Sequence, residues 1–224
     1  MNIKITDLFD LEHSKAADYL KQFTYPWEAL AGISDFVKEL GKTLPEDEYD
    51  HPAEDVWIAK DVQFYIRETN YIKGPAIIGH GTEIRPGAFI RGSVLVGDNC
   101  VVGNSTELKN VIIFDNVQVP HYNYVGDSIL GFYAHMGAGS ITSNVKSDKT
   151  LVVIHGVGED VKTGLKKTGA FLGDHVEVGC NSVLNPGTVI GRRSRVYPLS
   201  CVRGVVPADS IYKHQGEIAL QREA

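Results

Sequence analysis

Two short segments hold the side chains best suited to chemistry, PHYNYVGD at residues 120–127 and GAGSITSN at residues 137–144. They contribute His121, Tyr124 and Asn144. A histidine titrates near neutral pH and can accept a proton from an attacking nucleophile, so His121 is the candidate general base. Taken alone, a histidine more often satisfies a turn than takes part in a reaction. The motif that flanks His121 favours the catalytic interpretation.

Arg85 and Lys109 are candidate ligands for an anion. Each follows an aliphatic residue of a regular repeat, Ile84 and Leu108, and this position is predicted to lie at a corner that faces solvent. A guanidinium can bind a phosphate through two parallel hydrogen bonds, and an ammonium adds a compact positive charge. The alternative interpretation is that both are ordinary solvated charges on the surface.

The elements that position these residues follow from a repeat of six. From residue 66 to 108, and again from 172 to 202, an aliphatic residue recurs at every sixth position and is often followed by glycine. Neither a helix nor an ordinary alternating strand has this period. It predicts an all-β fold, a left-handed parallel β-helix of about six triangular coils, with the aliphatic residue of each hexad pointing inward. Between the two stretches the phase shifts by four residues, and the aliphatic position is assigned to Phe114, Tyr124, Leu130 and Met136.

The rest of the chain is arranged around this repeat. Residues 1–55 are predicted to form a helical extension that ends in an acidic linker, and residues 56–207 the β-helix. An inserted loop at 142–171 breaks the hexad pattern and is expected to protrude as a hairpin; such long loops on regular scaffolds are usually functional or interfacial. Residues 208–224 are predicted to cap the open end of the β-helix.

Composition narrows the possible functions. The 224 residues carry a net charge of −6, which argues against a nucleic-acid partner because such proteins usually present a basic face. No apolar run approaches the ~20 residues of a membrane span, and the N-terminus lacks the pattern of a secretion signal, so a cytoplasmic location is expected. Cys100, Cys180 and Cys201 are odd in number and far apart, which predicts reduced thiols rather than disulfides or metal ligands.

The motifs resemble those of a known family. Residues 121–127, HYNYVGD, match H-x-x-Y-[LV]-G-D, and residues 136–144, MGAGSITSN, resemble I-G-A-G-T-I-x-x-N with Met and Ser in place of Ile and Thr. Both patterns are typical of the acetyltransferase domain of the bifunctional glucosamine-1-phosphate acetyltransferase/N-acetylglucosamine-1-phosphate uridyltransferase and its archaeal-type sugar-1-phosphate nucleotidylyltransferase relatives. The similarity covers residues 60–207, and PWEALAGISDFVKEL resembles the helix that links the two domains of that family. The glycine-rich loop of the nucleotidyltransferase domain is not found in this sequence, so the resemblance implies the second domain standing alone.

The resemblance implies an enzyme that transfers an acetyl group from acetyl-CoA to an amino-sugar phosphate such as glucosamine-1-phosphate. It gives His121 the role of general base. The residues implied to contact the acceptor are Arg85, Lys109, Tyr124 and Asn144, and those implied to contact acetyl-CoA are Ala138 and Cys180. It also implies a homotrimer whose active site closes between subunits, without a catalytic metal.

Departures from the family leave alternatives open. His135 and Val145 replace an asparagine and a tyrosine near the implied sugar pocket, so more than one acceptor is considered and His135 is a second candidate base. One alternative is acetyl transfer to a nucleotide-linked amino sugar, and another is a non-catalytic or regulatory β-helix that binds a sugar nucleotide. A γ-type carbonic anhydrase would need three histidines converging on zinc, and the H-x4-H pair of that family is missing.

Overall fold

The computed structural model describes residues 3–156, 158, 160–214 and 217–220. The predicted parallel β-helix is confirmed. Short parallel strands form seven complete three-sided coils, numbered here from residue 56, followed by a partial eighth.

Each side of the prism is a ladder of parallel strands from successive coils. The first side contains Val56–Ala59, Ala76–Ile78, Val94–Val96, the second halves of Glu107–Ile113 and Tyr124–Leu130, Ala170–Leu172, Thr188–Ile190 and Val205–Val206. The second side contains Gln63–Phe64, Glu83–Ile84, Val101–Asn104, Gln118–His121, His135–Met136, Glu177–Val178, Arg195–Val196 and Ser210–His214. The third side contains Tyr71–Ile72, Phe89–Ile90, the first halves of Glu107–Ile113 and Tyr124–Leu130, Ile141–Thr142, Val183–Leu184 and Cys201–Val202.

The register explains the phase shift seen in the sequence. Paired residues in successive coils are mostly eighteen residues apart, as Ala76 and Val94 are. In the next two coils this spacing falls to seventeen: Val94 pairs with Val111, and Val111 pairs with Ser128. The corner between the third and first sides is therefore one residue shorter in two successive coils. Asn110 occupies the first of these corners at φ 54°.

The shortened corners change two assignments made from the repeat. Val125, not Tyr124, pairs with the inward-facing Leu108, so the tyrosine takes the neighbouring position beside Glu107. Ile113, not Phe114, continues the inward column on the first side. The hexad pattern placed its next inward aliphatic position six residues after Leu108, at Phe114. In the structure that position is five residues after Leu108, at Ile113.

The N-terminal segment packs on the first side of the prism. Its helices are Ile5–Leu8, Ala17–Leu20 and Ile33–Gly41, with 3₁₀ turns at Leu11–His13 and Pro26–Gly32; another 3₁₀ turn, Arg67–Thr69, lies within the first coil. Outward-facing residues of the first side, including Ile77, Leu95 and Ile112, are fully buried. Trp27 lies 6.0 Å from Phe171, measured between ring centroids. The first side is thus covered on both faces, which is why its strands are continuous apolar runs.

Three antiparallel pairs complete the structure. Tyr49–Ala53 pairs with Val56–Ala59 at the start of the β-helix. Val153–His155 pairs with Asp160–Lys162 and forms a hairpin within the inserted loop. Glu217–Leu220 pairs with Ser210–His214 in the predicted cap, of which residues 215–216 and 221–224 lie outside the described part. Among the described helices, none is long and apolar enough to cross a membrane.

Candidate functional site

Three of the implied site residues stack at one corner of the prism. The chain passes from the second to the third side at what we call the second corner, where His121, Ala138 and Cys180 occupy equivalent positions in successive coils. The carbonyl of His121 accepts a hydrogen bond from Gly139 N–H at 2.9 Å, and that of Ala138 from Asn181 N–H at 2.8 Å. Adjacent residues in such a stack are about 4.8 Å apart. The candidate base and both implied acetyl-CoA contacts therefore share one edge.

A buried asparagine holds the second corner around His121. The backbone N–H of His121 donates to Asn123 Oδ1 at 3.1 Å, while Asn123 Nδ2 donates to the carbonyls of Gly137 at 2.9 Å and Ser140 at 3.0 Å. These bonds tie the two motif segments together across adjacent coils. The side chain of His121 is exposed, so a fixed backbone presents an accessible imidazole.

Three further candidate residues, Lys109, Tyr124 and Asn144, meet at the third corner, where the chain passes from the third side to the first side of the next coil. The centre of this cluster is Asp127, whose side chain is only 6% exposed. Its Oδ1 accepts from Asn110 Nδ2 at 2.8 Å and lies 3.6 Å from Lys109 Nζ, and its Oδ2 accepts from Asn144 Nδ2 at 2.5 Å. One carboxylate thus connects groups from three coils.

Tyr124 points into this third-corner cluster. Its hydroxyl accepts a hydrogen bond from Asn144 Nδ2 at 3.1 Å. Burial, and to a lesser degree the charge of Asp127, raises the pKa of Tyr124 above its ordinary value. The hydroxyl is therefore protonated at neutral pH and can donate a hydrogen bond to a substrate oxygen.

The structure places Arg85 and Lys109 at different corners of the prism. Arg91, not Arg85, lies beside Lys109. Arg85 lies at the second corner, where its Nε donates to Glu83 Oε1 at 2.6 Å. Arg91 occupies the third corner one coil before Lys109, because Ile90 pairs with Leu108. Its Nη1 donates to Glu107 Oε1 at 2.6 Å.

Sequence reasoning missed Arg91 and Asp127, although signals for both were available. Arg91 precedes Lys109 by eighteen residues, one full coil. Asp127 is the last residue of the HYNYVGD motif, of which only the histidine and the second tyrosine are predicted site residues. Asn110, Asp127 and Asn144 are spaced by seventeen residues, so they occupy the same corner of three successive coils.

His135 lies apart from both clusters, on the second side of the prism. Its Nδ1 is 3.0 Å from Glu177 Oε2 on the next coil. This contact engages one ring nitrogen with a carboxylate. The geometry therefore favours His121 over His135 as the accessible base.

The third side of the prism separates the two corners. One corner offers an imidazole beside a run of small residues, and the other offers Arg91, Lys109, Tyr124 and Asn144 around a buried carboxylate. Two cations with a hydroxyl and an amide suit a phosphorylated, hydroxyl-rich ligand. Within the described residues, no three histidine, cysteine, aspartate or glutamate side chains converge as a metal site would require.

The chain is similar to a known protein family and to individual proteins. Residues 72–194 match the model of a family described as the GMPPB C-terminal domain. The bifunctional protein GlmU of Methanococcus maripaludis is 34% identical over 138 residues, which cover 62% of this chain and 33% of that protein. The bifunctional sugar-1-phosphate nucleotidylyltransferase/acetyltransferase of Sulfurisphaera tokodaii is 32% identical over 184 residues, which cover 82% of this chain and 42% of that protein. The chain spans less than half the length of these two relatives.

Solved structures include more distant matches. LpxA from Acinetobacter baumannii aligns with a TM-score of 0.41 and 18% identity, over 71% of this chain and 67% of that one. PerB from Caulobacter crescentus, solved with CoA and GDP-perosamine, aligns with a TM-score of 0.36 and 16% identity, over 72% of this chain and 51% of that one.

Proposed function

The chain belongs to the GMPPB C-terminal domain family, and from that membership and the two corners described above we propose that it is an acetyl-CoA-dependent N-acetyltransferase acting on an amino-sugar phosphate such as glucosamine-1-phosphate. The observation that carries the proposal is the grouping of the candidate residues. His121, Ala138 and Cys180 form one column, and Lys109, Tyr124 and Asn144 form a cluster across the same side of the prism. The printed name of the Sulfurisphaera tokodaii relative, a bifunctional sugar-1-phosphate nucleotidylyltransferase/acetyltransferase, agrees with acetyl transfer.

The acceptor would bind at the third corner. The phosphate would interact with Lys109 and Arg91, and the sugar hydroxyls with the Tyr124 hydroxyl and the Asn144 amide. Asp127 keeps the Lys109 ammonium and the Asn144 amide in place, so less side-chain entropy is lost when the acceptor binds.

The reaction forms a C–N bond and breaks a C–S bond. The amine of the sugar attacks the thioester carbonyl of acetyl-CoA, which would lie along the column of His121, Ala138 and Cys180. The His121 imidazole accepts the proton that the amine loses and can return it to the departing CoA thiolate. The exposed ring of His121 and the small Ala138 leave room for both substrates.

Release of free CoA measures this activity directly. We expect turnover with at least one acceptor from a panel of amino-sugar phosphates and nucleotide-linked amino sugars. His121→Ala should lower kcat by about 10²–10⁴-fold, the usual cost of losing a general base, while His135→Ala, the matched control, leaves kcat near the wild-type value. Equal rates for His121→Ala and wild type would disprove the role of His121. A panel without any turnover would favour a non-catalytic sugar-nucleotide-binding protein.

A further inference from the structure

The inserted loop is a locally basic segment in an acidic protein. Residues 142–171 contain five lysines and three acidic residues, whereas the whole chain carries a net charge of −6. The lysines are Lys146, Lys149, Lys162, Lys166 and Lys167. None of these has a role in the proposed reaction, so this concentration of charge calls for another explanation.

A cavity of about 400 Å³ lies between this loop and the third corner of the later coils. Its polar wall includes Ser143, Lys146, His155, Asn185 and Arg203. The pairing of the third-side strands places three of these residues at positions equivalent to Lys109 in later coils. They are Ser143, Asn185 and Arg203, and they continue the column of Lys109 toward the C-terminal end of the β-helix. The cavity and the proposed acceptor site therefore share one edge of the prism.

Arg203 is oriented by the hairpin. Its Nη2 lies 3.1 Å from His155 Nε2, and His155 Nδ1 lies 3.1 Å from Asp160 Oδ1. A guanidinium can only donate, so His155 Nε2 must accept and His155 Nδ1–H must donate to the carboxylate. Gly204, at φ 81°, lets the hairpin approach closely: a Cβ there would lie 2.5 Å from the carbonyl oxygen of His155.

A second cation, Lys146, also lines the cavity. Lys146 Nζ donates to Thr150 Oγ1 at 2.6 Å and lies 3.4 Å from Asp148 Oδ2. Two cations and one carboxylate face the cavity together with serine and asparagine side chains. This combination suits an anion with several oxygen acceptors, and the remaining donors of an arginine can bind such an anion through two hydrogen bonds.

Resting on the proposed function, we infer that this cavity is a second phosphate subsite, bound by Arg203 and Lys146 and separate from the phosphate site at Lys109. Four coil spacings separate Lys109 from Arg203 along the edge, about 19 Å. A sugar monophosphate cannot span that distance. The subsite would instead bind a phosphate of an extended substrate, either CoA or a nucleoside-diphosphate-linked acceptor.

Calorimetric titration tests the subsite without requiring turnover. The probes are CoA, 3′-dephospho-CoA, UDP-glucosamine and inorganic pyrophosphate. Arg203→Gln and Lys146→Gln should each raise the Kd of at least one probe by about 10-fold or more. The matched controls are Lys149→Gln in the same loop and Arg195→Gln in the same coil as Arg203, both exposed, and they should leave every Kd unchanged. Circular dichroism and melting confirm that all four variants fold.

The probes also identify which phosphate occupies the subsite. Weaker binding of CoA but not of 3′-dephospho-CoA assigns it to the 3′-phosphate, and weaker binding of both assigns it to the diphosphate. Weaker binding of UDP-glucosamine alone assigns it to the acceptor. Kd values unchanged by Arg203→Gln and Lys146→Gln, equal losses in the controls, or no binding of any probe by the wild type would overturn the proposal. Binding that depends on Arg203 in a protein without acetyl transfer would refute the proposed function and leave the subsite standing.

Discussion

The carboxylate of Asp127 holds together the side chains of the third-corner cluster. It is nearly buried and accepts hydrogen bonds from Asn110 and Asn144, while Lys109 supplies the nearest positive charge. Asn110 also donates to the carbonyl of Leu30 at 3.2 Å, which joins the N-terminal segment to the same corner. A single acid therefore couples the acceptor site to the covering helices.

Asp127→Asn should therefore destabilise the protein and impair the site together. One of the two neighbouring amides would face a donor instead of an acceptor, at a cost of about 1–3 kcal/mol, which corresponds to a fall in Tm of roughly 2–12 °C. The kcat/KM should also fall, because Asn144 loses its fixed position. The exposed Asp50→Asn removes the same charge and should have no effect on either quantity. A melting temperature equal to that of Asp50→Asn would contradict this account.

The sequence motif and the structure favour different arginines as the ligand of the acceptor phosphate. The sequence pattern favours Arg85, whereas the structure places Arg91 beside Lys109 and Arg85 at the other corner. Arg91→Gln should raise the KM for the phosphorylated acceptor by about 10-fold or more, and Arg85→Gln by clearly less, because a phosphate interacts with the nearer cation. Steady-state kinetics of the two variants give both KM values. A larger increase in KM for Arg85→Gln than for Arg91→Gln would show that Arg85 binds the phosphate, as the motif predicts.

At the scale of elements, the hexad period was enough to predict the parallel coils but not their corners. Removing one residue from a corner leaves composition and hydrophobicity almost unchanged, so the two seventeen-residue coils appear in the sequence only as a phase shift. The placement of Tyr124 depended on that detail, since a core tyrosine and a substrate-facing tyrosine differ by one position. The spacing of seventeen residues between Asn110, Asp127 and Asn144 indicates the shorter coils.

The covering role of the N-terminal segment was also missed, although a sign of it was present. Strands such as Ala76–Ile78 and Val94–Val96 are apolar at every position, which is typical of sheets buried on both faces. The helices themselves could be anticipated from their sequence. Which side of the prism they cover depends on long-range packing that no local pattern encodes.

Removing one anchor of this segment should destabilise the whole molecule. Trp27 is 3% exposed and packs between Tyr25 and Phe171. Trp27→Ala should lower the free energy of unfolding by about 3–5 kcal/mol, through lost burial and the cavity left behind. Tyr65→Ala removes an aromatic ring that is 66% exposed and should change it little. Denaturant unfolding compares the two, and similar midpoints would show that the segment is only loosely attached.

At the scale of the whole molecule, exposed apolar side chains mark the edge beside His121. Tyr122 is 65% exposed and Leu199 is 79% exposed, and both lie in the column next to the second-corner stack. A neighbouring subunit would cover them and close the site over bound acetyl-CoA. Gly139 and Asn181 lie between them in the same column, so Tyr122 and Leu199 are two separate exposed apolar side chains along this edge.

We therefore expect a homotrimer in solution. Three-fold closure is a common cyclic symmetry and would give each active site the same neighbour. Sedimentation equilibrium should return three times the chain mass of 24.6 kDa. A monomer at micromolar concentration would contradict this and would leave the exposure of Tyr122 and Leu199 unexplained.

The central claim is that this edge of the β-helix acetylates an amino sugar by holding its phosphate at Lys109. The most direct test compares kcat/KM for glucosamine-1-phosphate and for glucosamine, in the wild type and in Lys109→Gln. The account predicts that the wild type prefers the phosphorylated acceptor, and that Lys109→Gln loses about 10–100-fold of that preference while its rate with glucosamine is unchanged. An undiminished preference in Lys109→Gln, or no preference in the wild type, would contradict it.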